Sequence, residues 1–227
     1  MKKNDLFHPF PTKEIRHIGI IPDGGRRWAK ANNHALISSY NETRKKMAEF
    51  VVLLKQMGIP EISVYLSSRE NFKRIDNEIA AFNTAAFNAI KDVIPQMAIL
   101  HKIKITIAGD VSNLSDDFVN LLNNLVYNTR NFDLIKLNLL ISYNPADEIK
   151  HALNQAVSDD ITQSFWVKTP LDLVIRTGGA NLLSNFLPLQ AGYARLYFSD
   201  KLFNDFTPND LMEYIEHYTS LTRKYGD

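Results

Sequence analysis

The sequence predicts an α/β protein with a doubly wound, mainly parallel sheet of about six strands flanked by helices. Short, continuous apolar runs alternate along the chain with longer segments whose apolar residues recur at helical spacing. Strands buried on both faces are typical of parallel sheets covered by helices. The 227 residues suffice for one sizeable core. Since neither a repeat nor a linker interrupts them, we predict a single domain over residues 1–227.

The elements follow from apolar spacing and from residues that start or end a run. Pro22 ends the first strand, the polar residues 34–41 predict a loop, Gly58 stops a helix, Pro95 bends or breaks one, and Ser115 caps another. The predicted strands are Ile18–Ile21, Ile62–Leu66, Ile103–Ala108, Leu137–Ile141, Asp172–Ile175 and Leu196–Phe198. The predicted helices are Arg27–Asn33, Glu42–Met57, Glu78–Ile99, Ser115–Asn128, Pro145–Val157 and Pro208–Tyr218. Residues 1–16 form an irregular lead-in.

Composition excludes several classes of function. A formal net charge of +1 gives no general field for nucleic acid, so any anion site must be local. The chain has no cysteine, which rules out disulfides and thiolate metal sites, and its six histidines form no ligand-spaced cluster. Neither a signal-peptide core nor a membrane-spanning apolar run is present. We therefore predict a soluble cytoplasmic protein, with loose membrane contact left open.

Three loops at the carboxyl ends of predicted strands carry most of the chemically reactive side chains. They cover Asp23–Trp28, Ser67–Phe72 and Arg176–Asn185. Ligands of open α/β sheets bind outside the carboxyl ends of the strands. The sequence therefore predicts that the three loops converge on one anionic ligand.

The first loop has the residue types of a phosphate cradle. Gly24 and Gly25 allow backbone N–H groups to approach an anion at a helix start, and Arg26 and Arg27 supply planar donors. Asp23 is the exception, and a carboxylate beside phosphate usually holds Mg²⁺. The alternative is a surface turn with a capping aspartate and solvated arginines. Trp28, next in sequence, fits core packing better than substrate stacking.

The third loop repeats this combination of a cation beside glycines. Arg176 precedes Gly178 and Gly179, and Ser184 and Asn185 add neutral donors. Two such cradles suggest two phosphorylated substrates, or one substrate and a leaving diphosphate. The alternative is a glycine-rich turn whose arginine pairs with a surface carboxylate.

Together these stretches resemble the cis-prenyltransferase family, whose best-known type is undecaprenyl diphosphate synthase. The matching segments, in order, are 17–30, 68–74, 172–179, 184–187, 197–200, 205–206 and 223–226. The resemblance implies a homodimer that joins an allylic and a homoallylic isoprenoid diphosphate with the help of Mg²⁺. It implies that Asp23 positions the metal and that Asn71 either assists near the reacting carbons or relays a proton.

The resemblance also implies where the substrates bind. The first loop, Gly24 to Arg27, would hold the allylic diphosphate, and Arg176 and Ser184 would hold the second one. The further predicted substrate-binding positions are Trp28, Tyr40, Ser68, Phe72 and Arg195.

Several family positions are changed in this chain. Leu36 and Tyr40 stand where an arginine and a histidine usually grip the allylic diphosphate. Leu182 replaces an arginine of the second signature, and Arg195 replaces a metal-binding glutamate. The other changed positions are Gly25, Arg26, Phe72, Ala180 and the segment 143–146. Two arginines, a histidine and a metal-binding glutamate are therefore missing from the usual sites, and Arg26 and Arg195 are new cations.

The first loop, together with Leu36 and Tyr40, resembles a small branch of the family, the cyclolavandulyl diphosphate synthase type. That branch joins two dimethylallyl diphosphates head-to-middle, although it keeps the arginine that Leu182 replaces. We therefore favour a non-standard prenyltransferase that makes a short, branched or cyclic product. The alternatives are a regular cis-chain-elongating synthase, a terpene cyclase and a catalytically silent partner subunit. Phe82 and Phe87 either restrict the hydrocarbon tunnel or pack in the core.

Overall fold

Six parallel strands form one sheet in the computed structural model, which describes residues 15–69, 76–156 and 159–221. The strands are β1 (His17–Ile21), β2 (Glu61–Tyr65), β3 (Ile103–Ala108), β4 (Ile135–Leu140), β5 (Leu173–Arg176) and β6 (Arg195–Phe198). Their order is β3-β4-β2-β1-β5-β6, and every neighbouring pair is parallel. The predicted α/β class, parallel sheet and number of strands are confirmed.

Helices connect the strands and cover the sheet. They are α1 (Gly25–Ala31), α2 (Leu36–Gln56), α3 (Asp76–Asn88), α4 (Ile94–His101), α5 (Asp116–Thr129), α6 (Pro145–Gln155) and α7 (Pro208–Ser220). A π-helical turn, Ala89–Val93, joins α3 to α4, and short 3₁₀ turns cover Ile161–Ser164 and Phe203–Asp205. No helix in the described ranges combines the length and apolarity that a bilayer crossing requires.

Buried side chains lie on both faces of the sheet because strand residues alternate in direction. The larger core contains Ile18 and Ile20 of β1, together with Phe50 of α2. The smaller core, on the other face, contains Ile21, Leu140 and Phe186. This two-sided burial explains why the strands are continuous apolar runs.

The loop predicted over residues 34–41 is wrong from Leu36 onward, where α2 begins. Two contacts with other parts of the chain stabilise the first turns of this helix despite their polar sequence. The Ser39 hydroxyl donates to the carbonyl oxygen of Gly25 at 2.8 Å, and Tyr40 is buried at 7% exposure. Tertiary packing overrides the weak local preference here.

The interruption predicted near Pro95 is confirmed as the π-helical turn at Ala89–Val93. Proline has no N–H to donate to the carbonyl four residues earlier, which disfavours regular α-helical bonding at this point. Residues 1–14 of the predicted lead-in, the segment 70–75 with Asn71 and Phe72, and the C-terminal motif at 223–226 lie outside the described residues.

Candidate active site

A cleft of about 400 Å³ opens at the carboxyl ends of β1, β2 and β5. Its polar lining comes from the first and third loops and includes Asp23, Arg26, Arg176, Ser184 and Asn185. Its apolar lining includes Tyr40, Tyr65, Leu66 and Phe82. A cleft with both kinds of lining suits a ligand that has a charged head and a hydrocarbon tail.

The turn between β1 and α1 depends on a glycine. Gly24 has φ of +110°, and a side-chain carbon there would lie 3.0 Å from the Cα atom of Leu202. Both observations disfavour any larger residue. The turn therefore presents the Asp23 side chain and the N-terminus of α1 to the cleft together.

Both oxygens of the Asp23 carboxylate have partners in this structure. Oδ1 accepts from the backbone N–H of Gly24 at 2.6 Å and lies 3.6 Å from Nη2 of Arg27. Oδ2 accepts from Nη2 of Arg176 at 2.8 Å. The aspartate is therefore balanced by two arginines, one from each glycine loop.

Arg176 connects the two loops. Besides its bond to Asp23, its Nη1 donates to the Ser184 hydroxyl and to the Leu182 carbonyl oxygen, each at 2.7 Å. The arginine lies at the carboxyl end of β5 and is only 7% exposed. Its planar guanidinium can reach these acceptors at once, which an ammonium group cannot do.

Sequence reasoning missed two residues that shape this junction. The Thr177 hydroxyl accepts from the Asp23 N–H at 3.0 Å and donates to the Asp23 carbonyl oxygen at 2.9 Å. The Tyr65 hydroxyl, at the end of β2, donates to the carbonyl oxygen of Ser184 at 3.0 Å. Both residues lie near the carboxyl end of a predicted strand, and this position could have identified them from the sequence.

The backbone of the third loop is held in unusual conformations. Gly178 has φ of +87°, and a side-chain carbon there would lie 2.7 Å from Nη2 of Arg27. Ser184 and Asn185 have φ of 49° and 63°, which is uncommon for residues other than glycine. Such conformations concentrate at functional sites because the surrounding structure has to maintain them.

The charges around Asp23 favour an anion. Arg26 and Arg176 line the cleft together with Asp23, and Arg27 lies beside it. Two guanidinium groups thus contact the carboxylate, and a third lines the same cleft. A diphosphate would find several charge-assisted donors here, supplemented by the N–H groups at the start of α1.

The remaining predicted site residues divide into two groups. Gly25, Tyr40 and Ser68 line the cleft with the residues already described. The Trp28 indole instead donates from Nε1 to Asp205 at 2.8 Å, and its ring lies 5.0 Å from that of His34. This position fits the packing interpretation of Trp28.

Arg195 lies away from the cleft within its own chain. It begins β6 and pairs with Leu173, at the amino-terminal end of β5. The cleft is at the opposite end of the same strands. Of the two phenylalanines considered as tunnel plugs, Phe82 lines the cleft, whereas the Phe87 ring lies 6.1 Å from that of Phe118.

A buried polar network holds the segment around Ser68, which lines the cleft. The backbone of Tyr143 bonds to Ser67 and Arg69 on either side of Ser68. The Tyr143 hydroxyl donates to Glu148 Oε2 at 2.6 Å, and both residues are fully buried. Burial and the neighbouring carboxylate raise the pKa of the tyrosine. The neutral phenol therefore serves as a fixed donor that anchors the segment around Ser68.

Fold and site together define an α/β protein whose cleft, at the carboxyl edge of a parallel sheet, has the charged donors that a phosphorylated ligand requires. Residues 21–226 match a family profile named putative undecaprenyl diphosphate synthase. The chain therefore belongs to the cis-prenyltransferase family, and its activity class is prenyl transfer between isoprenoid diphosphates.

Individual relatives resemble the chain over nearly its whole length. An isoprenyl transferase of Treponema denticola is 34% identical over 95% of this chain and 99% of its own. A tritrans,polycis-undecaprenyl-diphosphate synthase of Sulfurisphaera tokodaii is also 34% identical, over 96% of this chain and 88% of its own.

Two solved structures share the fold. Lavandulyl diphosphate synthase from Lavandula x intermedia, in complex with dimethylallyl diphosphate, superimposes with a TM-score of 0.87. It is 22% identical and covers 94% of this chain and 98% of its own, so this similarity establishes the fold alone. A probable undecaprenyl diphosphate synthase from Campylobacter jejuni gives 0.81 at 25% identity, over 94% of this chain and 99% of its own.

Proposed function

We propose that the protein couples two short allylic diphosphates and releases inorganic diphosphate. The observation that carries the proposal is the Arg176 guanidinium, which joins Asp23 of the first loop to Ser184 of the third. This junction supports two diphosphate sites that share one cation. The cleft of about 400 Å³ supports substrates with short hydrocarbon tails.

The reaction would begin when the C–O bond of the allylic diphosphate breaks and diphosphate leaves with the electron pair. The alkene of the second substrate then forms a carbon–carbon bond to the allylic carbon, and a proton leaves the resulting cation. Gly24, Gly25, Arg26 and Arg27 would hold the departing diphosphate, since fixed donors stabilise developing negative charge. Arg176 and Ser184 would hold the second diphosphate.

The donor set near Asp23 fits Mg²⁺ bound together with a diphosphate. Magnesium commonly uses one or two carboxylates and completes its shell with phosphate oxygens and water. Asp23 is a single carboxylate at the cleft, and no cluster of three acidic or histidine ligands occurs among the described residues. We propose that Asp23 holds the metal, which would supply positive charge for departure of the diphosphate.

Changed positions at both diphosphate sites support coupling of two allylic substrates. Leu36 and Tyr40 lie in the first turns of α2, and Tyr40 lines the cleft where the family usually places a cation. Leu182 is 54% exposed and contributes its carbonyl oxygen, not a charge, to Arg176. A second site with fewer cations fits a changed second substrate.

Regular chain elongation is the second candidate, because relatives at 30% and 34% identity are named isoprenyl transferases or undecaprenyl diphosphate synthases. The two candidates differ in the second substrate. Elongation requires isopentenyl diphosphate, whereas head-to-middle coupling uses dimethylallyl diphosphate twice.

We also propose that the protein acts as a homodimer. β6 ends the sheet, and Leu196 on this strand is 42% exposed while nearby Tyr193 is 74% exposed. A partner covering this edge would place Arg195 at the interface, where its predicted role in substrate binding can be tested. Light scattering at several protein concentrations measures the mass, and a monomer throughout would contradict the dimer.

Product analysis tests the proposed reaction. Purified protein and Mg²⁺ are incubated with dimethylallyl diphosphate alone, then with isopentenyl diphosphate added, and the alcohols are identified after dephosphorylation. A ten-carbon branched or cyclic alcohol in the first reaction supports coupling of two allylic diphosphates.

The other outcomes separate the alternatives. Products that require isopentenyl diphosphate would favour elongation. Absence of product in both reactions would contradict the proposal and direct the next tests to a cyclase of longer diphosphates or to a silent partner subunit.

A further inference from the structure

A second, apolar cavity lies directly behind the cleft. It has a volume of about 30 Å³ and shares Pro22 and Leu66 with the cleft lining. Apart from Thr43 and Arg44, its other walls are apolar residues of α2, α4 and the sheet, including Met47, Val51 and Leu139. The cavity is therefore an inward continuation of the cleft between two helices and the sheet.

This inner space is too small for a prenyl unit. A single water molecule needs about 10–15 Å³ of such volume, so the inner cavity holds space for only two or three waters. A further cavity of about 10 Å³, bordered by Leu66 and Phe82, is smaller still. Hydrocarbon can therefore enter the interior only if a side chain at the junction moves.

Arg44 is the charged residue at this junction. It lines the inner apolar cavity, one helical turn after Tyr40, which lines the cleft. Its Nη1 donates to the Tyr40 carbonyl oxygen at 3.0 Å, and its Nη2 donates to the Phe82 carbonyl oxygen at 3.2 Å. The guanidinium thus bridges α2 and α3.

Two aromatic rings hold the same guanidinium. Its carbon lies 5.6 Å from the centre of the Tyr40 ring and 5.2 Å from that of Phe82. The two rings meet edge to face at 5.5 Å. Burial lowers the pKa of Arg44 to about 10, and the group remains charged at neutral pH.

We propose that Arg44 is a specificity-determining residue, which together with Phe82 closes the inner end of the cleft and restricts it to short prenyl tails. A bridged guanidinium within cation–π distance of two rings resists displacement by hydrocarbon, because leaving it without these partners inside an apolar space is unfavourable. This inference rests on the proposed function for the nature of the ligand. It adds the residue that limits the length of that ligand's tail.

Binding of unreactive substrate analogues tests the proposal without requiring catalysis. Thiolodiphosphates with five-, ten- and fifteen-carbon prenyl tails are titrated calorimetrically into the wild-type protein. We expect the fifteen-carbon analogue to bind at least about tenfold more weakly than the best shorter one, on the scale of discrimination that apolar pockets achieve. Equal affinity for all three would overturn the proposal.

Three variants locate the restriction. Arg44→Ala and Phe82→Ala should each bring the fifteen-carbon analogue to within about threefold of the shorter ones, since discrimination of this kind depends on pocket shape. Arg44→Met keeps most of the side-chain bulk but removes the bonds to the Tyr40 and Phe82 carbonyl oxygens, so it should also weaken the preference for short tails. If Arg44→Met retains the full wild-type preference, closure by the bridged guanidinium is wrong.

Arg130→Ala is the matched control. Arg130 also stacks on a tyrosine, 3.6 Å from the Tyr127 ring centre, and also bonds a backbone carbonyl, but on α5 and away from the cleft. Its removal should leave the tail preference unchanged. Circular dichroism confirms that each variant is folded.

Inorganic diphosphate separates tail selection from phosphate binding. Its affinity should be unchanged in Arg44→Ala. If Arg44→Ala weakens inorganic diphosphate and all three analogues equally, Arg44 is a phosphate ligand and the proposal is overturned. A changed tail preference in a protein that yields no coupled product would contradict the proposed reaction while supporting the role of Arg44.

Discussion

Replacing Arg176 by lysine tests the junction between the two glycine loops. The substitution keeps the positive charge but removes the planar fork that reaches Asp23, Ser184 and the Leu182 carbonyl oxygen. A lysine ammonium is a compact point charge at the end of a flexible chain, and we expect it to retain about one of the three bonds.

The magnitude follows from the bonds that are lost. A hydrogen bond to a charged group contributes about 1.5–3 kcal/mol. The Asp23 side chain is 35% exposed, so solvent screening favours the lower figure. Two lost bonds then amount to about 3 kcal/mol, which is about a hundredfold, since each 1.4 kcal/mol is about tenfold. We expect kcat/KM for diphosphate release to fall by about that factor.

The assay measures diphosphate release together with calorimetric affinity for inorganic diphosphate. Arg130→Lys is the control, because Arg130 lies on the surface at the end of α5. If kcat/KM of Arg176→Lys stays within about threefold of the wild type, which is less than 1 kcal/mol, then charge alone suffices and the bridging argument is wrong. A fall in melting temperature without a change in kcat/KM would also contradict it.

Three other predictions concern the metal, the buried network and pH. In the wild type, we expect Mg²⁺ to increase the calorimetric affinity for inorganic diphosphate, and Asp23→Asn should remove this increase. The same increase in the variant would contradict metal binding by this carboxylate. Tyr143→Phe removes a donor to the buried Glu148 carboxylate and should lower the free energy of unfolding, measured in urea, by about 2 kcal/mol. A loss below about 0.5 kcal/mol, which is the size of an ordinary surface substitution, would contradict this role of the tyrosine hydroxyl. Burial lowers the pKa of His17 below its ordinary value of about 6.5. The stability that neutral His17 contributes should therefore be fully present above a pH of about 6.5 and be lost as the pH falls below it. His17→Gln should flatten the pH dependence of the free energy of unfolding, whereas a substitution of the exposed His34, His34→Gln, should not. If His17→Gln and the wild type show the same slope against pH, the role assigned to His17 is wrong.

The sequence by itself determined the class of fold and the chemistry of the first loop. The apolar runs of β1 and β5 are legible because both faces of a parallel sheet are buried, which leaves no polar alternation in these strands. Asp23, Gly24 and Arg176 were recognisable as candidate site residues because their types follow strands directly, and all three line the cleft. The parallel topology then brings the ends of β1, β2 and β5 to one edge.

Tertiary structure decided what local spacing could not specify. The start of α2 was mistaken for a loop because contacts of Ser39 and Tyr40 with distant residues, not its own apolar periodicity, stabilise it. Thr177 was missed because its role is a pair of bonds to Asp23, which is 154 residues away along the chain. Such pairings exist only once the strands are neighbours.

Two arginines show the same difference between what the sequence determines and what the tertiary structure decides. From sequence, Arg44 is one cation among several on an amphipathic helix, and Arg195 stands at a family site position. In the folded chain, Arg44 lies against the Tyr40 and Phe82 rings beside the inner apolar cavity, whereas Arg195 lies at the opposite end of the strands from the cleft. Residue type and spacing indicated which groups could bind a diphosphate. Packing of the helices against the sheet decided where those groups lie, because side chains far apart in sequence become neighbours only in the folded chain.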